Sequence, residues 1–241
     1  MKLSSMQPYL FPYIGYFQLI EAADVFVIGD SVQYIKNGWV NRNYYLTIRD
    51  GHAVKTRYSF SVSKSSHLKP FTKARFSEEF EAEKEKYKRF ICNNYRRAPY
   101  FSQVYPLIEK IMCFQGSELV PFIENSIRVL MGYMDIQTPV IRMSQLTGGE
   151  KYGSKMDKQD RVIALCRELG VDTYINSVGG TELYDREYFR NQGIVLKFQK
   201  TNKISYRQFT EEFVESLSII DVLMFSDKER VKTFLDDFVI V

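Results

Sequence analysis

The chain has 241 residues, of which 45% are hydrophobic and 26% charged. That balance excludes disorder as the main state and suits one large α/β domain or two small ones. With 33 basic and 29 acidic residues the formal net charge is +4. This falls short of the density that alone argues for nucleic acid, and it is compatible with an anionic small molecule as partner.

Aromatic residues reach 15%, with 18 Phe, 17 Tyr and a single Trp. Tyr joins an apolar ring to a polar tip, so this content fits either a wet aromatic-lined cleft or a Tyr-rich surface. The three cysteines, Cys92, Cys113 and Cys166, are odd in number and far apart. Neither a disulfide framework nor a Cys-based zinc site is expected, which points to a reducing compartment. Two histidines, His52 and His67, do not supply a His-rich metal site and no metal ligand is named. A Mg²⁺ site built from carboxylates leaves no mark in this count. The opening MKLSSMQPYLFPYIGYF lacks a clean apolar stretch and a small-residue cleavage site, so no signal peptide is expected. No run of about 18 apolar residues exists to span a membrane.

Lys2 to Gln7 reads as a first strand that runs into Pro8. Two prolines in PYLFPY make residues 8–13 a loop, because Pro cannot donate to a ladder. A helix follows from Ile14 to Ala23, with Tyr13, Tyr16, Phe17 and Ile20 spaced to form one buried aromatic face. Val25 to Ile28 is a continuous apolar run, which suits a strand covered on both faces. Strand, loop, helix and strand together make a βαβ unit. Residues 43–62 predict a β-hairpin turning at Asp50-Gly51.

Pro70 to Met134 reads as helical, with Ser77 as an N-cap, a stop at Pro99, and two further helices over 103–114 and 118–134. The acid-first, base-last charge run from Glu78 to Arg97 complements a helix dipole and reads as a solvated face. Pro139 to Leu146 returns to strand, and an amphipathic helix over 157–169 ends at Gly170. Asp172 to Asn176 and Ile194 to Phe198 read as strands, and a final helix lies near 227–238. The expected fold class is α/β: a mainly parallel sheet flanked by helices, one domain over 1–241 with a helical insertion at 64–135.

Four constellations are candidates for chemistry. Gln7, Tyr9 and Tyr13 follow the first strand, where ligands sit in open α/β sheets, ahead of a helix N-terminus; a Pro-stiffened aromatic plug is the plain alternative. Residues 30–43 bring Asp30, Gln33, Tyr34, Trp39, Asn41, Arg42 and Asn43 to the end of the second strand. Amides and Arg recognise phosphate, carboxylate or sugar hydroxyls and Trp offers a stacking face, although a polar turn explains the same residues.

The segment Gly148-Gly-Glu-Lys-Tyr-Gly153-Ser154-Lys155 nearly spells a phosphate-binding loop, but its last two residues are inverted. An anion cradle of glycine N–H groups supported by Arg161 competes there with a plain flexible loop. Gly179, Gly180 and Tyr184 follow a strand, and paired glycines permit close backbone approach to a ligand or simply a turn. No Ser-His-Asp or Cys-His set is credible with two histidines. Asp30, Asp157 and Asp160 are candidate acids or bases, and Asp30 is the one taken as catalytic.

Gln7 to Phe17, Ala23 to Val27, Asp30 to Tyr34 and Trp39 to Asn43 resemble the opening of the WbqC-like proteins in order and spacing. Asp160 to Ile175, the glycines with Tyr184, and Leu217 to Leu223 resemble that family's C-terminal half. The residues from about 64 to 135 match only in helical character. Two positions depart: Phe60-Ser-Val-Ser stands where a Pro-containing strand is usual, and Tyr13 where a tryptophan is usual.

The resemblance implies a cytoplasmic bacterial protein of O-antigen or other surface-polysaccharide biosynthesis. It further implies a transferase that attaches glycine or another acyl group to an amino sugar or nucleotide sugar. The small-molecule partner is then an anionic nucleotide sugar or an activated acyl donor, with no nucleic acid and no membrane span; the cofactor and oligomeric state stay open. Two alternatives stand beside it. One is an adenylate-forming or nucleotidyl-transfer enzyme, whose opening the first βαβ unit resembles, with Tyr16 near the place of a loop histidine and Lys155 to Lys158 similar to a lysine loop. The other is a non-catalytic glycan-binding module.

Overall fold

Alternation along the apolar strands fixes the architecture. In the second strand, Phe26 and Ile28 pack with one hydrophobic cluster while Val25 and Val27 pack with another. Successive side chains point to opposite faces, so a strand apolar at every position must be covered twice. The computed structural model describes residues 1–36, 38–66, 69–149, 151–153 and 155–241.

The main sheet has six strands: β1 (Lys2–Met6), β2 (Val25–Ile28), β5 (Val140–Arg142), β6 (Thr173–Ser177), β7 (Val195–Thr201) and β8 (Phe238–Ile240). Their order is β5-β2-β1-β6-β7-β8. The first five run parallel and β8 pairs antiparallel with β7. From β1 the chain moves outward to β2 and then β5; β6 lies on the other side of β1, and the chain moves outward again to β7. The direction of winding therefore reverses between β1 and β6, where Leu3 registers with Tyr174 and Ser4 with Ile175.

Helix α1 (Ile14–Glu21) and α8 (Lys228–Asp236) contribute to the cluster on one face, and α5 (Lys158–Glu168) and α6 (Arg186–Asn191) to the cluster on the other. A separate hairpin, β3 (Arg42–Arg49) and β4 (His52–Ser59), turns at Asp50 and Gly51, both with positive φ as a tight two-residue hairpin turn requires. Helices α2 (Phe80–Tyr95), α3 (Phe101–Met112) and α4 (Leu119–Tyr133) follow it, and α7 (Ile219–Phe225) precedes α8. Their buried side chains join those of α1, β2 and β3 in one cluster, so the helical block shares its core with one face of the sheet. No helix among the described residues is long and apolar enough to cross a membrane.

Several expectations are corrected in detail. Ser77 does not cap a helix: its hydroxyl is buried without a partner, and α2 begins only at Phe80. Two residues of the supposed solvated face are buried. Glu83 accepts from the Ser61 N–H and hydroxyl, and Lys84 bonds Glu81 and the Phe114 carbonyl, so this pair ties α2 to its neighbours. The strand expected over 139–146 stops at Arg142, where a 3-10 turn, Met143–Gln145, takes over. Tyr13 is not part of the buried face of α1. It precedes the helix, is 40% exposed, and lays its ring where a Cβ on Gly15 would sit.

Candidate functional site

A cleft of about 730 Å³ opens beyond the carboxyl ends of β1 and β6, at the point where the winding reverses. Open α/β sheets place ligands in this crevice because the loops leaving adjacent strands diverge there. Ser5, Met6 and Gln7 supply its wall from β1, and Asn176, Ser177, Gly179 and Gly180 from β6. Tyr9, Tyr13 and Trp39 form an aromatic side, and Lys158, Arg161 and Tyr184 face it from α5 and the turn after β6. A side chamber of about 350 Å³ shares Tyr9, Tyr13 and Trp39 and adds Asn43 and Lys55.

Arg161 is fixed by backbone. Its Nη2 donates to the Gly153 carbonyl at 3.1 Å and to that of Met156 at 2.8 Å, while its Nε is buried without a partner. Burial lowers its pKa, against the opposing influence of Tyr184 and Asp157. Burial also raises the phenols of Tyr9 and Tyr184, which keeps both as hydrogen-bond donors at neutral pH. Asp157 caps α5 by accepting the N–H groups of Gln159 and Asp160, so that helix end is already satisfied. Among the described residues lining the cleft two are cations and none is Asp, Glu or His.

The two glycines after β6 have different reasons. A Cβ on Gly180 would meet Asn176 Nδ2 at 2.3 Å, whereas one on Gly179 would meet nothing within 4 Å. Asn176 is itself buried and accepts the Ser177 N–H at 2.9 Å. Gly180 therefore makes room for a wall residue, and Gly179 leaves open space.

The structure thus brings Gln7, Tyr9, Tyr13, Trp39, Arg161, Gly179, Gly180 and Tyr184 to one cleft. It does not bring Asp30, Gln33, Tyr34, Asn41 or Arg42 there, and Asn43 reaches only the side chamber. Asn43 Nδ2 donates to the Phe11 carbonyl at 2.6 Å, and Ser218 donates to the same oxygen at 2.9 Å. Phe11 has φ of 48°, a conformation unfavourable for a bulky residue, so the loop carrying Tyr9 and Tyr13 is pinned from two sides.

Asn41 likewise donates to the Phe60 carbonyl and receives the Phe60 N–H. Tyr34 is buried edge-on against Phe71 at 5.8 Å, and Gln33 forms an isolated bridge with Pro70. Arg42 opens β3 opposite Ser59, with its Nε buried and unpartnered. Tyr16, the candidate for a loop-histidine position, is 1% exposed, and its hydroxyl donates to the Gln7 carbonyl at 3.0 Å. Asp30 is 1% exposed, with its two oxygens taken by the Ser144 N–H and hydroxyl. That placement suits joining two strand ends rather than exchanging protons with a ligand in the cleft.

The loop that nearly spells a phosphate-binding motif does hold an anion, and the anion is its own. Glu168 accepts the N–H of Thr147 at 2.6 Å, that of Gly148 at 3.2 Å, and the Tyr152 hydroxyl. These bonds, that of Tyr152 first, hold its carboxyl below the usual range. Gly149 donates instead to Leu146, so neither of these two glycine N–H groups is left for a ligand. Glu150 and Ser154 of this segment lie outside the described residues.

The model of the WbqC-like protein family matches residues 7–233, from the first loop through most of α8. The chain belongs to the WbqC-like family. It is also similar to an uncharacterized protein of Mycobacterium tuberculosis, 24% identical over 231 residues that cover 92% of each chain. No solved structure matches it. The region of family likeness contains every described cleft residue except Ser5 and Met6, which precede it.

Sequence reasoning missed Ser5 and Asn176 as cleft residues, while Ser177 opened the glycine segment after β6 and Lys158 closed the segment similar to a lysine loop. Asn176 carried a usable signal, since a polar residue near the carboxyl end of a strand marks its mouth. What the sequence lacks is the pairing of β6 with β1, a contact across about 170 residues.

Proposed function

We propose that this protein is a small-molecule transferase whose anionic substrate, a nucleotide sugar or an activated acyl donor, lies in the cleft between β1 and β6. The observation that carries this reading is the pairing of Arg161 and Lys158 with aromatic walls, in a lining with no described carboxylate. A diphosphate is attracted by such a site, and Arg offers a planar fork where Lys offers a point charge. Trp39, Tyr9 and Tyr13 suit the flat or apolar face of a base or sugar, with their polar tips toward hydroxyls.

Family membership adds the setting that the resemblance implies, surface-polysaccharide biosynthesis with glycine or another acyl group moved to an amino sugar. The lining gives hydroxyls and the Lys158 amine, not a carboxylate, the task of handling protons. Asp30 keeps a supporting part in this reading, holding the neighbouring wall. The same lining also suits a glycan-binding module, and turnover discriminates the two.

The test is a thermal-shift panel of nucleotide sugars on the wild-type chain. A ligand at about 100 times its Kd raises stability by ~2.7 kcal/mol. The shift is expected for at least one nucleotide sugar and is expected to be lost in Arg161→Ala. A panel without any shift removes this reading.

A further inference from the structure

On the other side of the wall formed by residues 29–31 and 143–144 lies a second hollow of about 740 Å³. Gly29 and Met143 face the β1/β6 cleft, while their near neighbours Ser31 and Ser144 face this one. Asp30 stands between, holding Ser144 with both carboxylate oxygens. The two hollows are therefore back to back on one edge of the sheet.

The charge of the second hollow is one-sided. Lys73, Lys151 and Lys155 line it, and no described lining residue is acidic. Among the described residues none of the three lysines forms an ion pair, although other lysines of the chain do. Ser31, on its wall, is 8% exposed and its hydroxyl has no hydrogen-bond partner. A buried hydroxyl left unpaired costs free energy unless something meets it. Three cations brought together by the loop after β5 and the segment before α2 repel one another unless an anion lies among them.

We infer that this hollow is a second anion site, which takes the phosphate or polyphosphate portion of a cosubstrate. Its use as a cosubstrate site rests on the transferase reading above, since a transferase needs two substrates side by side; the anion site itself does not. Lysines are mobile point charges, so the hollow suits a multiply charged phosphate chain better than a planar carboxylate. The recognition is by side chains, because the N–H groups of Thr147, Gly148 and Gly149 are already engaged.

Isothermal titration calorimetry of the full chain with inorganic tripolyphosphate tests it, with orthophosphate and citrate as comparison probes. Tripolyphosphate is expected to bind at least tenfold tighter than either. Lys73→Ala/Lys151→Ala/Lys155→Ala is expected to weaken it at least tenfold, and Ser31→Ala a few fold. Surface lysine substitutions leave folding intact, and a melting curve checks this. Arg161→Ala is expected to remove only the weaker binding that the β1/β6 cleft offers a polyphosphate and to keep the affinity of the lysine site within about twofold. Equal binding by the triple variant, equal binding of citrate or orthophosphate, or no binding to the wild-type chain would overturn the inference. Loss in Arg161→Ala alone would overturn it by moving the anion to the β1/β6 cleft, where the transferase reading would stand.

Discussion

The Asp30 carboxylate accepts the Ser144 N–H at 2.8 Å and the Ser144 hydroxyl at 2.6 Å, which ties the end of β2 to the turn after β5. The tie forms the partition between the two hollows. Burial raises the pKa of Asp30, while Ser144 and the charge of Arg142 hold that rise down. Asp30→Ala removes both bonds to Ser144, which is itself exposed, so water can take up the freed N–H. The cost is that of the lost bonds and of the space left by the buried carboxylate. It is expected to be about 1–3 kcal/mol of stability, measured by urea unfolding. Ser144→Ala removes one bond only and is expected to cost less. If Asp30→Ala unfolds like the wild type but abolishes turnover, Asp30 acts on substrate and the partition account is wrong.

The glycines after β6 give a paired prediction. Gly180→Ala drives a Cβ into Asn176, so it is expected to lower both the melting temperature and ligand affinity. Gly179→Ala has open space and is expected to fold within about 0.5 kcal/mol of the wild type. Any effect of Gly179→Ala on binding then reports on the cleft itself. Equal destabilisation by both would contradict this division.

Asn43 is a structural anchor that reads in the sequence like a ligand. Asn43→Ala frees one of two donors to the strained Phe11 carbonyl and is expected to cost about 1–2 kcal/mol. Because Phe11 lies between Tyr9 and Tyr13, ligand affinity is expected to fall as well, whereas Asn41→Ala is expected to cost stability without that loss. Urea unfolding and a binding titration on the two variants separate these outcomes.

Asp221 makes stability depend on pH. It is fully buried in α7, accepting from Tyr95 at 2.8 Å, Tyr206 at 2.7 Å and Gln208 at 2.9 Å. Tyr95 in turn receives the Leu46 N–H, so the network joins the hairpin, α2 and α7. Burial pushes its carboxyl from 3.8 up to about 6. The folded state thus holds this proton more tightly than the unfolded chain does. The resulting stability is fully present below about pH 4 and is lost as pH rises through about 6, a span of roughly 3 kcal/mol. Asp221→Asn is expected to flatten that segment of the stability–pH curve. Parallel curves for the two proteins would contradict it.

What was legible in the sequence followed local pattern. The βαβ opening, the Asp50-Gly51 turn and the amphipathic helix ended by Gly170, at φ of 63°, each rest on residues close in the chain. Helix α7 escaped because six of its seven residues are buried, which leaves no polar face to reveal a period. Asn41 and Asn43 misled for a common reason. A polar side chain that satisfies a distant carbonyl looks, in sequence, the same as one that awaits a ligand. The cleft was half legible: the β1 loop announced itself, but which strand lies beside β1 is a long-range choice made by packing.

The single tryptophan stands at the rim of the β1/β6 cleft, 49% exposed, so its fluorescence reports on that place alone. Titrating the wild-type chain with a nucleotide sugar, and recording Trp39 emission, tests the central claim most directly. A saturable change is predicted, abolished in Arg161→Ala and retained when Lys73, Lys151 and Lys155 are replaced by Ala. An emission spectrum unmoved by a nucleotide sugar that calorimetry shows to be bound would place the ligand elsewhere and contradict the account.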